Sequence, residues 1–391
     1  MAAPRNFVIA GFARNGGDDS YARVLEGAQL LDFYALGTRR GTKTVPPERT
    51  RLKPSFGLLN YLAARSLPIY QAESFRFRLF GRFDRWTKSL LRPGHHLLAG
   101  TAFAPGAMNW ARQNGGTSFL QSWTSHPQEF WDLVAEEHKL WNSKYLPVSR
   151  YYQQKAMESV AAADYACAPS TFAVKSFVKH GFDPQRILFC PLWLDLDAFR
   201  PLPEPRPQNR PFTILHTGGL SLRKGAPHLL EAFRLIRKQV PDAVLRVRRH
   251  IRDDVTEILK KNSDLPIEWS DNLDFAGHIS RYQTSDLLLF PSIEDGFAYV
   301  VAEALGCGLP VITTPTTGAS DLIQPGVNGE VVPIRDARAL ADAALTWWER
   351  IRAGERIGGR EKLVEQLSFK KFEDNFIAHL RHIGLTKNQN A

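Results

Sequence analysis

The stretch LLLFPSIEDGFAYVVAEALGCGLPVITT, Leu287–Thr314, decides the fold. Leu287–Phe290 is an unbroken apolar run too short for a helix and stopped by Pro291, which predicts a buried strand. AYVVAEAL then carries a helical pattern closed by Gly306 and Gly308, and PVIT is a second apolar run. A strand, an exit loop, a helix and a strand in that order make a parallel crossover. Packing alone has no use for the acids Glu294, Asp295 and Glu303. Gly296 permits a close backbone approach, and Phe297 and Ala298 lead into a helix whose first amides carry partial positive charge, a setting suited to phosphate. Glu303, between Ala302 and Ala304, lies deep enough on that helix to require a partner. A carboxylate there can accept both protons of a ribose or hexose diol.

The same grammar runs outward in both directions. Before this stretch, FTILHTGG, AVLRVRRH and LDFAGH read as strands, with helices APHLLEAFRLIRKQ and DVTEILKKN between them; after it come GEVVPI and the helix ARALADAALTWWERIRAG with Asp336 as N-cap. In the first half, NFVIAGF, HHLLAGT, TSFLQSW, YACAPS and RILFCPLWLD read as strands, and SYARVLEGAQLLDFY as a helix. Between the halves lies FRPLPEPRPQNRPF, whose prolines 201, 203, 205, 207 and 211 rule out a helix or a central strand. The expected organisation is α/β: a Rossmann-like domain over residues 1–200, a stiff linker 201–211, a second such domain 212–372, and a C-terminal helix and tail 373–391 free to pack back on the first domain. Both parallel sheets should face an interdomain cleft.

A second anion-binding element sits in HTGGLSLRKGAPHLLEAF. Gly218 and Gly219 open a strand-to-helix turn, and Arg223 and Lys224 are held in the loop beyond, where adjacent cations could neutralise a diphosphate. It is not a P-loop, and no G-x-G-x-x-G follows any strand, which disfavours a dinucleotide oxidoreductase. Gly16 and Gly17 offer a similar turn after the first strand, with Asp18 and Asp19 available as helix caps.

The net charge of +10 is concentrated in residues 1–100, where 16 Lys and Arg face 7 Asp and Glu. ESFRFRLFGRFDRWTKSLLRPG interleaves Arg76, Arg78, Arg82, Arg85, Lys88 and Arg92 with an apolar face of Leu79, Phe80, Phe83 and Trp86. It reads either as a helix on an anionic membrane surface or as a core helix with a basic outer face. No nucleic-acid-binding signature accompanies the charge, so nucleic acid is not an expected partner. Three cysteines without metal spacing, no signal-peptide pattern and no run of 18 apolar residues point to a cytoplasmic protein, peripheral at the inner face of the membrane if the basic helix touches it.

Taken together, GGLSLRKG…LLEAF, YQTSDLLLFPSIEDGFAYVVAEALGCGLPVITT and GVNGEVVP resemble the retaining, nucleotide-sugar-dependent glycosyltransferases of GT-B fold, group 1 or family 4, strongly across about residues 210–345. The resemblance implies transfer of a sugar from a nucleoside diphosphate to an acceptor hydroxyl, in surface polysaccharide or glycolipid assembly. It implies that Glu303 binds the donor ribose, that Asp295 contacts the donor sugar with Glu294 as the alternative, and that Arg223 and Lys224 hold the diphosphate. His126, in FLQSWTSHPQEF, falls on a histidine that contacts the donor sugar, and Gly16 and Gly17 on a loop facing donor phosphate and acceptor. The sequence departs from the pattern at Asp295, where glutamate is usual, at Gly219, where arginine is usual, and at Trp193, where glycine is usual. No cofactor is expected, and no metal, because the acids are too few and wrongly spaced for a cation cage. The other reading is a catalytically inactive nucleotide-sugar-binding protein of the same fold.

Overall fold

The computed structural model describes residues 5–11, 16–37, 45–66, 69–203, 210–248, 250–271 and 273–386. Seven strands come from the first half of the chain: β1 (Phe7–Gly11), β2 (Leu31–Leu36), β3 (Thr50–Leu52), β4 (His96–Gly100), β5 (Ser118–Gln121), β6 (Tyr165–Ala168) and β7 (Ile187–Phe189). Six come from the second: β8 (Thr213–His216), β9 (Val244–Arg248), β10 (Ile267–Ser270), β11 (Leu287–Phe290), β12 (Val311–Thr313) and β13 (Gly329–Val331). The first set forms one sheet in the order β3-β2-β1-β4-β5-β6-β7, the second another in the order β10-β9-β8-β11-β12-β13. Every ladder is parallel. The strand order reverses between β1 and β4 and between β8 and β11, and the crevice outside such a switch point is where open α/β sheets bind ligands.

Burial explains the apolar runs. All five residues of β1 and β4, and all four of β8 and β11, are enclosed because helices cover both faces of each sheet. The exits of β5 and β11 meet across the crevice. A Cβ added to Gly296 would lie 2.0 Å from the Trp123 carbonyl oxygen, so the two loops touch backbone to backbone only because that residue is glycine.

The domains are joined twice. Leu192, Leu196 and Phe199 sit in the second domain's core, while Trp193 packs with the first and donates from Nε1 to Ser20 Oγ at 2.6 Å. The final helix, Phe369–His382, then returns: Phe372, Phe376 and Leu380 join Phe7, Ile9 and Tyr21 in one cluster, with the Tyr21 ring 5.0 and 4.7 Å from those of Phe372 and Phe376. Linker residues 204–209 lie outside the described residues.

Two segments differ from the sequence expectation. LDFAGH is a helix start: Asp274 accepts from the Gly277 amide at 2.8 Å and caps Phe275–Gln283, while IEWS, not expected as a strand, forms edge strand β10. Capping by Asp274 outweighs the short apolar alternation that suggested a strand. LDFY is not the end of the first helix, which stops at Gly27; Gln29 takes φ 60° and the chain turns into β2. The basic stretch forms the helix Ile69–Leu90 and turns Leu79, Phe80 and Phe83 into the domain core, with the Phe80 ring 4.7 Å from Phe103. Its apolar face is therefore used in packing, and Arg78, Arg82, Arg85 and Lys88 are exposed. Among the described residues no helix is long and apolar enough to cross a membrane.

Candidate active site in the interdomain cleft

The two loops singled out in the sequence lie side by side at the carboxyl ends of β8 and β11. Gly225, at φ 68°, is pressed against Pro291, whose carbonyl oxygen would lie 1.9 Å from an added Cβ, and the Ile293 amide donates to the Arg223 carbonyl at 2.9 Å. Gly218 and Gly219 take φ 105° and 89°, and Gly219 backs directly onto His250. An arginine at 219 would meet both a strained backbone and that imidazole, which accounts for glycine at this place.

Lys224 forms an ion pair with Asp295, both side chains being largely enclosed. Asp295 Oδ1 also accepts from the amides of Phe297 (3.2 Å) and Ala298 (2.9 Å), so the loop amides expected to approach phosphate are engaged by the loop's own carboxylate. Ala298, at φ 61° and ψ 71°, is held in a left-handed conformation to make that turn, immediately before the helix Tyr299–Gly306. Burial by itself raises the Asp295 carboxyl, but Lys224 and Arg223 beside it more than reverse this and hold it below its ordinary value. Burial drives the Lys224 ammonium down, further than Asp295 lifts it, with Arg223 adding to the fall.

Glu294 points the other way. Its carboxylate is wholly buried; Oε1 accepts from the Ser125 amide and hydroxyl, each at 2.9 Å, and Oε2 from Arg223 Nε and Nη2, each at 2.9 Å. Arg223 in turn lies 5.1 Å from the Phe130 ring centroid. Glu294 thus ties the second domain's loop to the strand exit of the first. Of the two neighbouring acids, Asp295 is the one that meets Lys224 at the cleft.

Glu303 Oε2 accepts from the Tyr282 hydroxyl at 2.6 Å and lies 3.0 Å from His278 Nε2. Both partners come from the helix Phe275–Gln283, and both line a cavity of about 310 Å³ with Thr217, Arg248 and Phe275. The i, i+4 spacing of His278 and Tyr282 behind the capping Asp274 is the signal that would have found them.

His126 is placed differently from the cations. It caps the helix Pro127–Leu140, accepting from the Gln128 amide through Nδ1 at 3.1 Å. Its buried ring stacks on His180, centroids 4.8 Å apart, and meets Phe177 edge-on at 5.1 Å. Burial first, then His180, pushes the imidazole down to about 4. The unfolded chain, with an ordinary value near 6.5, binds this proton more readily, so stability should fall as the pH drops below 6.5 and level off under about 4. The full effect is roughly 3 kcal/mol. The unfolding midpoint should drop markedly between pH 7.5 and pH 5 in the wild type and less in His126→Asn, which keeps a capping oxygen; equal drops in both would assign the pH dependence elsewhere. Gly16 and Gly17 begin the helix Gly16–Gly27, and residues 12–15 before them lie outside the described residues.

Between the domains lies a cavity of about 330 Å³. The first domain contributes Phe77, Thr124, Phe130, His138, Tyr152 and Gln153, and the second Gly218, Gly219, Arg223, Lys224, Arg252 and Asp254. A second set of cross-domain contacts borders it. Glu137, enclosed on the helix Pro127–Leu140, meets His228 Nε2 at 2.7 Å and Arg335 Nε at 2.8 Å. Burial lifts the Asp254 carboxyl to about 6 in spite of Arg252 nearby. Sequence reading missed Glu137, His228, Arg335 and Asp254, because lone charged residues on helices and turns carry no motif.

Residues 211–350 match the family model described as Glycosyl transferases group 1. The D-inositol 3-phosphate glycosyltransferase of Xylanimonas cellulosilytica is 26% identical over 203 residues, which is 47% of this chain and 48% of that protein. The capsular polysaccharide biosynthesis glycosyltransferase CapM of Staphylococcus aureus is 28% identical over 166 residues, 41% of this chain and 43% of its own. The chain thus spans about half the length of the curated relatives it matches. Solved structures extend the likeness to the whole fold. The lipopolysaccharide outer core galactosyltransferase WaaB superposes with a TM-score of 0.65 at 16% identity, covering 96% of this chain and 99% of its own. Anabaena Alr3699/HepE, solved in complex with UDP-glucose, does so with a TM-score of 0.61 at 14% identity, covering 96% and 99%. At those identities they establish the architecture, two parallel-sheet domains of the GT-B type.

Proposed function

From a chain whose residues 211–350 match the family model of the glycosyl transferases group 1 and whose two domains form the GT-B fold, we propose a retaining glycosyltransferase that moves a sugar from a nucleoside-diphosphate sugar to an acceptor hydroxyl. The observation that carries this reading is the pairing of Arg223 and Lys224 at the carboxyl end of β8, lining a cavity closed on its other side by the first domain. Two cations in an enclosed site stabilise the charge that develops on a departing diphosphate, with no reorganisation at the moment of reaction. Retention through a covalent intermediate would need two carboxyl groups about 5 Å apart, one of them a free nucleophile. Glu294 is fully occupied by Ser125 and Arg223, and Asp295 caps its own loop. Front-face attack follows, with the leaving diphosphate accepting the acceptor's proton.

In this scheme Glu303, oriented by Tyr282 and His278, receives the ribose hydroxyls, and Asp295 faces the transferred sugar beside Lys224. His126 acts by fixing the helix that carries the first domain's wall. No metal takes part. The capsular relative supports an acceptor in surface polysaccharide or glycolipid assembly. Peripheral membrane contact would use the exposed Arg78, Arg82, Arg85 and Lys88, together with Leu58, Tyr61 and Leu62, which are exposed on the adjoining helix Pro54–Ser66.

The test is a thermal-shift and transfer screen with UDP, GDP, ADP and their sugars, in buffer with and without EDTA. One nucleotide should raise the unfolding midpoint by linkage, and its sugar should be transferred in either buffer with the anomeric configuration kept. Glu303→Gln should weaken that nucleotide about tenfold, the scale of a lost hydrogen bond to a charged group. Binding without transfer to any acceptor would leave a nucleotide-sugar-binding protein; no shift with any nucleotide would end the proposal.

A further inference from the structure

Each cation of the loop after β8 already has an acid from the loop after β11. Arg223 pairs with Glu294 at 2.9 Å, and Lys224 pairs with Asp295. Asp295 Oδ1 also accepts from the amides of Phe297 and Ala298, at 3.2 and 2.9 Å. The Lys224 ammonium and these two amides are the groups a diphosphate would need at this place, and one carboxylate holds all three. Two acids against two cations leave the quartet without net positive charge, whereas a leaving diphosphate is stabilised by cations that face it. A phosphate oxyanion beside the Asp295 carboxylate would be repelled, in a site with little water to screen the charge. One of the acids must therefore yield.

The two differ in their freedom to do so. Glu294 is wholly buried and is held by the Ser125 amide and hydroxyl as well as by Arg223. Asp295 keeps 16% of its side-chain exposure and Lys224 keeps 12%, and Lys224 lines the interdomain cavity, so this pair can be reached from the cleft. The Asp295 main chain is pinned: its amide donates to the Thr316 carbonyl at 3.2 Å, and its carbonyl accepts from the Gly318 amide at 2.8 Å. The carboxylate can thus leave by rotation between side-chain rotamers while the loop stays in place. We propose that Asp295 is an internal competitor for the diphosphate site, an autoinhibitory carboxylate that the donor displaces and that returns to expel the spent nucleoside diphosphate. The proposal rests on the transferase reading above. A donor sugar offers hydroxyls to the displaced carboxylate, and the nucleoside diphosphate left after transfer offers none at that place. Asp295 therefore weakens binding of the product more than binding of the donor.

The experiment is a calorimetric titration of the full chain with UDP, GDP and ADP, the corresponding nucleotide sugars, and inorganic pyrophosphate. Wild type is compared with Asp295→Asn and Asp295→Ser, which remove the charge and keep a short side-chain oxygen for the loop amides. A competitor in place for about nine-tenths of the time lowers apparent affinity about tenfold. Both variants should therefore bind pyrophosphate and the preferred nucleoside diphosphate tenfold tighter than wild type. The nucleotide sugar should gain less, because its hydroxyls lose the carboxylate. Asp254→Asn, which removes a carboxyl from the same cavity lining that makes no ion pair with Lys224, should change each affinity less than threefold. Unchanged or weaker binding of pyrophosphate in both Asp295 variants would overturn the proposal, and so would equal tightening in Asp254→Asn, which would make the effect one of general charge. Equal gains for product and donor would overturn the part played in product release. Tighter pyrophosphate in the Asp295 variants, with no nucleotide bound by any of the proteins, would uphold the competing carboxylate and reject the transferase reading.

Discussion

Lys224→Ala should lower kcat/KM for sugar transfer by roughly 10²–10³-fold, the range found when one donor to a developing negative charge is removed from an enclosed site. Lys224 lines the cleft, is mostly enclosed and pairs with Asp295. Solvent cannot replace it cheaply there, because charge in a water-poor site is stabilised mainly by groups already in place. The substitution also strips Asp295 of its counter-ion, so part of any loss could come from a disturbed loop. The double variant Lys224→Ala/Asp295→Asn separates the two effects. It removes the unpaired carboxylate while keeping an oxygen to accept from the Ala298 amide, so thermal stability should recover and turnover should not. Steady-state kinetics and unfolding midpoints on the three proteins suffice. A single variant within threefold of wild type would remove Lys224 from the leaving-group role.

Glu294→Ala should be the most destabilising single change at the site. The carboxylate is wholly buried, and removing it leaves the Ser125 amide and hydroxyl without their acceptor and the Arg223 guanidinium without its counter-ion. Breaking a buried pair from one side costs about 3–5 kcal/mol. Arg223 retains 30% of its side-chain exposure, so solvent screens part of the charge and the lower end, about 3 kcal/mol, is expected. At a few degrees per kcal/mol, the unfolding midpoint should fall by roughly 6–12 °C. Because the contact crosses domains, Ser125→Ala and Glu294→Gln should be non-additive in a double-mutant cycle. A midpoint within 2 °C of wild type for Glu294→Ala would show that the strut carries no load.

Much of the second domain could be read directly. The run Leu287–Phe290, the helix before Gly306, Gly225 at the turn and the adjacent Arg223 and Lys224 are local signals, and local sterics and periodicity place them without help from distant residues. The misreadings came where two local signals compete over a few residues. Asp274 capped a helix at LDFAGH, and a left-handed Gln29 cut LDFY away from the preceding helix. Glu303 was legible as an acid needing a partner; its partners His278 and Tyr282 were not, because they lie on the segment misread as a strand.

The sequence by itself determined the α/β class, the parallel crossover begun by Leu287–Phe290 and the strand-exit loops that follow β8 and β11. All of these follow from periodicity, glycine and proline geometry and charge over short spans. Only the tertiary structure gave Glu294 and Asp295 their separate partners. Glu294 crosses 169 residues of sequence to Ser125, while Asp295 stays with Lys224 and its own loop amides. It likewise set His126 against His180, and brought Gln153 and His138 to the cavity that Asp254 lines from the other domain. The physical reason is common to all three: a buried polar group takes whichever partner the packing of remote elements delivers, and that choice has no signature in neighbouring residues.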